Sequence, residues 1–293
     1  FELIQYHPTI MNRLFVNRLT VIDASLLHAS RGLLGESWQV DIELEGSLDH
    51  QGMVLDFAQV KRQVKQTLDN HFDHRLLVPQ LYPGCHVDHS GHQCEIRFRL
   101  KSGEEILHRG PDESVTLIRS TEIKTDALEH AIIENIRPNL PDNVRHIRLH
   151  LHPEKIRGAR YQYSHGLKHH SGNCQRIAHG HRSRIHIFRN GTRVKELEQE
   201  WAERWRDIYL GTRSDLRDRF EMGGTHYYRF SYTADQGSFE LVLPKAHCYL
   251  IDDDSTVENL ARHIALSLKR LHPDSHFRVR AFEGVDKGAI GEA

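Results

Sequence analysis

The sequence lacks any long apolar run. A membrane-spanning helix needs about 20 consecutive, mainly apolar residues, and the 293-residue chain contains no such stretch. Its N-terminus also lacks the succession of basic, apolar and small residues that marks a secretory signal. We therefore expect neither export nor membrane insertion, and the predicted location is the cytoplasm.

Cysteine and net charge are scarce as well. The four cysteines (Cys85, Cys94, Cys174 and Cys248) are too few for a disulfide framework, so each is interpreted as core filler, metal ligand or nucleophile. The formal net charge of −1 gives no bulk attraction to nucleic acid or to a membrane surface. With 27% charged and 38% hydrophobic residues, the composition is that of an ordinary globular protein.

The order of predicted elements repeats once along the chain. Alternating apolar residues predict strands, and apolar residues three or four positions apart predict helices. In the first half these patterns predict strands at 19–27 and 38–44, a helix at 54–72, a hairpin at 94–107, a helix at 122–136 and a strand at 147–151. In the second half they predict strands at 159–167 and 185–187, a helix at 197–209, a hairpin at 227–243, a helix at 256–271 and a strand at 277–281. The halves therefore read as two α+β modules of the same design.

Single residues support the repeat, since Gly35 and Gly46 correspond to Gly180 and Gly191 when the halves are aligned. The joint falls in a polar stretch at 153–158, which predicts domains at 11–153 and 154–293. We expect Met11 to be the natural start and leave residues 1–10 out of the fold interpretation. Chance similarity between two α+β halves is the alternative.

Histidine is abundant, with 24 residues, and one group has the spacing of a metal site. His179 and His181 lie two apart on a predicted strand, so their side chains project to the same face. His165 lies on the preceding antiparallel strand, close enough to add a third imidazole. Three histidines with an open position are typical of catalytic zinc. The alternative is surface histidine in a histidine-rich chain.

The residues around these histidines resemble a known family. Tyr163-Ser164-His165, followed by Cys174 and then His179-Gly180-His181, is similar to the zinc-binding stretch of the 6-pyruvoyltetrahydropterin synthase and 6-carboxytetrahydropterin synthase family. The resemblance implies the tunnelling fold, with an antiparallel sheet and two helices packed on one face in each of two tandem modules. It also implies that the three histidines bind Zn²⁺ and that Cys174 acts as the catalytic base.

Two further segments extend the resemblance. Phe72-Asp73-His74 looks like the family's catalytic Asp-His pair, and Glu283 falls where the family places a glutamate that anchors the pterin ring. Alignment of the halves puts Ser25, Leu34 and Glu36 at the positions of the three zinc ligands, and His150 or Leu151 at that of Glu283. The first half thus lacks the zinc ligands, and the second half lacks an Asp-His pair. This predicts one site per pair of modules, formed within or between chains.

The resemblance implies a small-molecule substrate, 7,8-dihydroneopterin triphosphate, and the 6-carboxy product of queuosine (7-deazaguanine) synthesis is the predicted outcome. Alternatives are the 6-pyruvoyl product, side-chain cleavage for folate synthesis, and a zinc- and pterin-binding protein without turnover. The cleavage type has a glutamate near the His-Gly-His motif, and residues 175–178 contain none. No nucleic-acid or membrane partner is expected.

Two predictions remain. The stretch 84–94 carries Cys85, His86, His89, His92 and Cys94 in a predicted loop, and either a second metal site or a solvated loop would explain it. Because tunnelling-fold modules pair their sheet edges to form barrels, we also expect a homo-oligomer.

Overall fold

A computed structural model describes residues 11–293. The described residues of the first half, from 11 onward, form two helices and eight strands: β1 (Asn12–His28), β2 (Gly32–Gly46), α1 (Phe57–His71), β3 (Leu76–Pro79), β4 (Cys85–Ser90), β5 (Gln93–Arg99), β6 (Glu105–Pro111), β7 (Val115–Ile118), α2 (Thr125–Ile136) and β8 (Val144–Pro153). All the elements predicted for this half are present, with shifted ends.

The second half repeats this order with additional short strands. Its elements are β9 (Arg160–His165), β10 (His179–Arg189), β11 (Thr192–Arg193), α3 (Lys195–Arg204), β12 (Ile208–Thr212), β13 (Leu216–Met222), β14 (Thr225–Ala234), β15 (Gly237–Pro244), β16 (Cys248–Ile251), α4 (Val257–Leu271), β17 (Phe277–Phe282) and β18 (Gly288–Glu292). No helix of the described residues 11–293 is long and apolar enough to cross a membrane.

Each half builds its own sheet. The first has the order β7-β3-β1-β2-β8, and the second has the order β16-β12-β9-β10-β17-β18, with β11 beside β10. The central strands are antiparallel, as predicted, while the short strands β3, β7, β12 and β16 add in parallel at one edge. Each sheet and its two helices enclose a separate hydrophobic core.

The helices are defined by their caps and by one apolar face. Asp56 precedes α1, and its carboxylate accepts hydrogen bonds from two backbone N–H groups of the first turn, which satisfies donors that the helix itself cannot. Val60, Val64 and Leu68 recur every four residues and are fully buried, so a single stripe of α1 packs on the sheet. The helix α4 is built in the same way, with Thr256 as its cap.

A third sheet joins the halves, in the order β13-β14-β15-β6-β5-β4. Each half inserts three antiparallel strands, β4–β6 in the first and β13–β15 in the second, and the two insertions pair where β15 meets β6. The predicted loop at 84–94 is wrong, because it forms β4 and the turn into β5. As an outer strand, β4 has no fully buried residue, and so its apolar pattern is weak.

The two modules meet at the matched glycines. A β-carbon added to Gly35 would lie 1.9 Å from the Tyr163 carbonyl oxygen, and one added to Gly180 would lie 2.6 Å from the Gly35 α-carbon. The buried Ser25 hydroxyl donates to the Ser164 hydroxyl beside them, at 2.7 Å. Only glycine allows the backbones of β2 and β10 to approach this closely.

The cross-strand register corrects the sequence alignment of the halves. Ser25 pairs with Gly35 in β1–β2, and Ser164 pairs with Gly180 in β9–β10. Ser25 therefore corresponds to Ser164, and the predicted match of Ser25 with His165 is wrong by one position. The first-half counterparts of the three histidines are Leu26, Leu34 and Glu36, and Glu283 corresponds to Pro153. The first half still lacks the metal-binding side chains.

We expect Gly35→Ala to lower the free energy of unfolding by at least about 3 kcal/mol, because the new methyl group overlaps backbone that cannot move independently. Urea denaturation followed by circular dichroism measures the change. Gly172→Ala is the control, since its β-carbon would meet a flexible His170 side chain at 3.1 Å. Equal stability of the two variants would contradict the tight contact between modules.

Candidate functional site

Three buried imidazoles converge at the start of β10. His165 ends β9 and pairs across the strands with His179, while His181 follows on the same face. The ring centroids of His165 and His179 lie 4.3 Å apart, and His181 lies 5.2 Å and 5.5 Å from them. One ring nitrogen from each residue falls within 4.8 Å of the other two. The structure thus brings the three predicted zinc ligands together.

Contacts at the Nδ1 atoms orient the rings of His165 and His179. Nδ1 of His165 lies 3.1 Å from the Ser255 carbonyl oxygen and 3.0 Å from its hydroxyl, and Nδ1 of His179 lies 3.3 Å from the Arg176 carbonyl oxygen. The Nε2 atoms of His165, His179 and His181 are buried and have no hydrogen-bond partner. Such orphaned nitrogens cost free energy unless something binds them. A divalent ion that accepts three imidazoles fits this donor set.

Burial also determines the protonation of two of these histidines. It holds the pKa values of His165 and His179 well below their usual range, and the neighbouring imidazoles act in the same direction. Both rings are therefore neutral at pH 7, which is the form that binds metal.

Asp23 of the first half supports His181, and the sequence analysis missed it. Its carboxylate lies 3.3 Å from His181 Nδ1 and accepts a hydrogen bond from Ser37. Burial alone would raise the pKa of this carboxyl, but His181, Lys287 and Ser37 together lower it below the usual range. A charged residue inside the apolar segment 19–27 was the available signal, because buried aspartate is rare without a partner.

Cys174 and the Asp-His pair lie against the same imidazoles. The ligand-type atoms of His74, Cys174 and His179 fall within 4.8 Å of one another, and the rings of His74 and His179 are 5.0 Å apart. Asp73 bonds Nδ1 of His74 at 2.7 Å and also accepts from the Asp23 backbone N–H at 2.8 Å. Both halves of one chain therefore contribute to this cluster.

The electrostatics of His74 differ from those of the other three imidazoles. Burial acts to lower its pKa, but hydrogen bonds to Asp73 and Cys174 raise the pKa to about 10. His74 is therefore a cation at pH 7.

Glu283 lies on the open side of the cluster. One of its carboxylate oxygens is 3.8 Å from His181 Nε2, and 23% of the side chain is exposed. Lys287 lies 3.2 Å from Asp23 and 3.9 Å from Glu283, a contact that sequence reasoning also missed. The predicted pterin anchor thus borders the imidazoles and remains accessible to a ligand.

The second candidate metal cluster is only partly assembled. His89 and Cys94 face each other across β4 and β5, and Asp112 lies 3.0 Å from His89. Cys85 pairs with Phe98 farther along the hairpin, outside this group. Burial raises the pKa of Cys94 to about 11, so its thiol stays protonated and packs in the core.

The position that is related to the histidine cluster by exchange of the two halves holds a charged network instead. There Glu36 corresponds to His181 and Asp207 corresponds to His74. Asp207 and His74 share a positive φ, of 55° and 53° respectively. Arg31 donates to both Asp207 oxygens at 2.8 Å and 2.6 Å, and to Gln162 at 2.7 Å. Gln162 in turn donates to Glu36 at 2.8 Å. The network links the two halves with salt bridges and hydrogen bonds.

Glu36 should make stability depend on pH. Burial raises its pKa to about 7, compared with about 4.3 in an unfolded chain, so the folded state favours the protonated form. This contribution is fully present below about pH 4.3 and is lost as the pH rises to 7. Between pH 4.5 and pH 7.5, we expect the free energy of unfolding of Glu36→Gln to rise by up to about 3 kcal/mol relative to that of the parent.

Urea denaturation of parent and variant across this pH range measures the difference. Glu43→Gln, a half-exposed position on the same strand, is the control. A constant difference between Glu36→Gln and the parent at all pH values would show that Glu36 has the same pKa in the folded and unfolded protein.

Comparison with known proteins agrees with this architecture. A family model described as 6-pyruvoyl tetrahydropterin synthase matches the chain twice, at 25–152 and 155–292. A protein of Pyrococcus horikoshii described as "Putative 6-carboxy-5,6,7,8-tetrahydropterin synthase" is 26% identical over 117 residues, which are 40% of this chain and 66% of the relative. A Pyrococcus abyssi protein with the same description is 25% identical over 119 residues, which are 41% and 67% of the two chains. The match thus spans about two thirds of each relative.

Solved structures of similar fold come from Plasmodium. A catalytic-residue mutant of the Plasmodium vivax 6-pyruvoyltetrahydropterin synthase has a TM-score of 0.39 and 19% identity, over 49% of this chain and 91% of that one. The Plasmodium falciparum 6-pyruvoyl tetrahydropterin synthase has a TM-score of 0.40 and 15% identity, over 48% and 90%. Because the family model covers both halves in succession, the chain belongs to the 6-pyruvoyl tetrahydropterin synthase family and carries two tandem copies of its tunnelling-fold module.

Proposed function

We propose that this chain is a zinc-dependent lyase that acts on 7,8-dihydroneopterin triphosphate and forms 6-carboxytetrahydropterin, a precursor of 7-deazaguanines such as queuosine. The observation that carries the proposal is the cluster of three unpaired Nε2 atoms beside Cys174 and His74. The descriptions of the two Pyrococcus relatives support the choice of product.

In this proposal His165, His179 and His181 hold the metal through Nε2, and Ser255, Arg176 and Asp23 keep the rings oriented. The bound zinc would supply Lewis-acid stabilisation for negative charge that develops on the oxygens of the substrate side chain.

Cys174 and His74 move protons in the proposed reaction. The Cys174 thiolate removes a proton from a side-chain carbon of the substrate, and the imidazolium of His74 stabilises that thiolate beforehand. Asp73 accepts the Nδ1–H of the His74 imidazolium, which leaves the Nε2–H as the proton that His74 can give.

Glu283 would anchor the pterin, since its two oxygens can accept from a ring N–H and the 2-amino group together. Among the cations near the motif, Arg176 is the candidate for the triphosphate. It is only 6% exposed, and its Nη1 atom has no partner. Lys168, Arg182 and Arg184 are instead engaged by acidic side chains.

Two alternatives stay open. The 6-pyruvoyl product or side-chain cleavage would use the same metal and acid–base groups. A protein that binds zinc and a pterin without turnover would keep the imidazoles and Glu283 alone. The fully formed Cys174–His74–Asp73 group favours an enzyme.

Metal analysis combined with product identification tests the proposal. The purified protein should contain one zinc per chain and convert 7,8-dihydroneopterin triphosphate to the 6-carboxy product, with release of acetaldehyde and triphosphate. A pyruvoyl or hydroxymethyl product would favour the other lyases. Binding of the substrate without any product would favour the non-catalytic protein.

The predicted boundaries at 11–153 and 154–293 and the predicted homo-oligomer remain part of the proposal. The strands β8 and β18 are edges of their sheets within the chain, and exposed edges are usually paired or protected. Light scattering coupled to size exclusion should give a mass of at least two chains.

A further inference from the structure

The third sheet contacts the loop that carries Cys174. This loop spans 166–178, between β9 and β10, and within it the Leu167 N–H donates to the Cys174 carbonyl oxygen at 2.9 Å. Beyond that bond, the loop is linked to side chains of β6 and β14 and to the turn between β14 and β15. Because both halves supply strands to the third sheet, the loop rests on a platform that neither half forms alone.

Gln236, in the turn between β14 and β15, makes most of these bonds. Its side-chain amide donates to the Asn173 side-chain oxygen and accepts from Arg176 Nε, both at 2.8 Å. Its backbone N–H donates to the Gln175 side-chain oxygen at 2.7 Å. These three partners stand on both sides of Cys174.

Two buried side chains of the same sheet add to the contact. The Tyr232 hydroxyl donates to the Gln175 carbonyl oxygen at 2.7 Å, and Nε2 of His108 bonds the Ile177 carbonyl oxygen. Tyr232 is 6% exposed and His108 is fully buried. Burial lowers the pKa of His108 to about 4, so it is a neutral donor at pH 7.

We propose that Gln236 is a positioning residue, which holds the 173–176 segment so that the Cys174 thiol faces His74 and the metal-binding imidazoles. Its effect on turnover rests on the proposed lyase function. Gln236 lies 60 residues along the chain from its partner Arg176, and its side-chain hydrogen bonds go to the loop and not to the three imidazoles, so it acts through the loop. A displacement of about 1 Å at a reacting group can cost about 100-fold in rate.

The test compares Gln236→Leu, which keeps the size of the side chain and removes its polar atoms, with Gln236→Glu, which keeps an acceptor for Arg176. We expect Gln236→Leu to lower kcat by about 10- to 100-fold and to leave the zinc content within about twofold. Gln236→Glu should restore most of the lost kcat. Ser238→Ala is the control, since Ser238 lies in the same hairpin and bonds Thr233 on its exposed side.

Hydrogen exchange provides a readout that does not depend on turnover. Amides of 166–178 should exchange at least about tenfold faster in Gln236→Leu, while those of β9 and β10 stay unchanged. Unchanged loop exchange, or a loss of kcat accompanied by loss of zinc, would overturn the positioning role. If the parent protein shows no turnover but the loop exchange still rises, the lyase proposal fails and the positioning of the Cys174 loop stands.

Discussion

Replacement of His179 by alanine should abolish tight zinc binding and, with it, all measurable turnover. The ring of His179 lies 4.3 Å from that of His165, and its ligand-type atoms also lie within 4.8 Å of those of Cys174 and His74, so the variant would lose one of the three proposed metal ligands. Even groups that only orient metal ligands are worth about 10- to 100-fold in metal affinity, and a direct ligand should be worth at least about 100-fold. Competition with a chromophoric chelator measures the affinity.

His186→Ala is the matched control, because His186 belongs to the same strand but projects to the opposite face, against Phe282. Added zinc should raise the melting temperature of the parent and of His186→Ala, since a ligand that binds only the folded state stabilises it. It should not raise that of His179→Ala. Full zinc affinity in His179→Ala would disprove the three-histidine site and the pterin chemistry that depends on it.

The local part of this site was predictable from the sequence. Side chains of a strand alternate between its faces, and this rule alone places His179 and His181 together. The cross-strand position of His165 required only that β9 and β10 be antiparallel neighbours. The elements of each module were predictable for the same reason, since the buried stripes of α1 and α4 recur with helical spacing.

The register between the halves was not predictable. In the first half β1 and β2 are joined by the short turn 29–31, whereas β9 and β10 are joined by 166–178. A sequence alignment must place a gap in this region, and moving the gap by one residue changes the number of matched residues only slightly. In a sheet the same shift reverses every side chain, and for this reason the Ser25–Ser164 contact resolves what the alignment misplaced.

Contacts between segments that are distant in the sequence could not be predicted either. Asp23 and His181 are on strands of different halves, and Gln236 meets the Cys174 loop through an inserted hairpin. No local pattern encodes such contacts, because each depends on how two modules and a third sheet pack. The best local signal was a polar residue in an apolar setting, as at Asp23.

The two equivalent positions between the halves differ in how their polar groups are paired. Where the second half has His181 facing Asp23, the first half has Glu36 bonded to Gln162. Where the first half has Asp73 and His74, the second half has Arg206 and Asp207, and Asp207 pairs with Arg31. The location around His181 keeps ring nitrogens without hydrogen-bond partners, whereas the location around Glu36 pairs its polar groups with one another. The side chains around Glu36 therefore hold the two modules together and leave no free ligand atoms for a metal.

Replacement of Cys174 by alanine should lower kcat by about 10²- to 10⁴-fold, the usual contribution of a positioned acid–base group, while zinc stays bound. The three imidazoles keep their orienting contacts in this variant, because none of those contacts involves the thiol. Product formation measured beside zinc content separates the two effects. Cys85→Ser, a half-buried cysteine in the third sheet, is the control and should keep parental kcat.

We also expect the effects of replacing Cys174 and His74 on kcat to be non-additive. If His74 acts mainly by stabilising the thiolate, then His74→Gln in the Cys174→Ala background should cost little more than Cys174→Ala alone, as is usual for groups that act together in one step. Additive losses would show that His74 has an independent role, such as protonation of a substrate oxygen. Turnover of Cys174→Ala within about tenfold of the parent would exclude the thiol as the base and leave His74, which the first half contributes, as the remaining proton carrier.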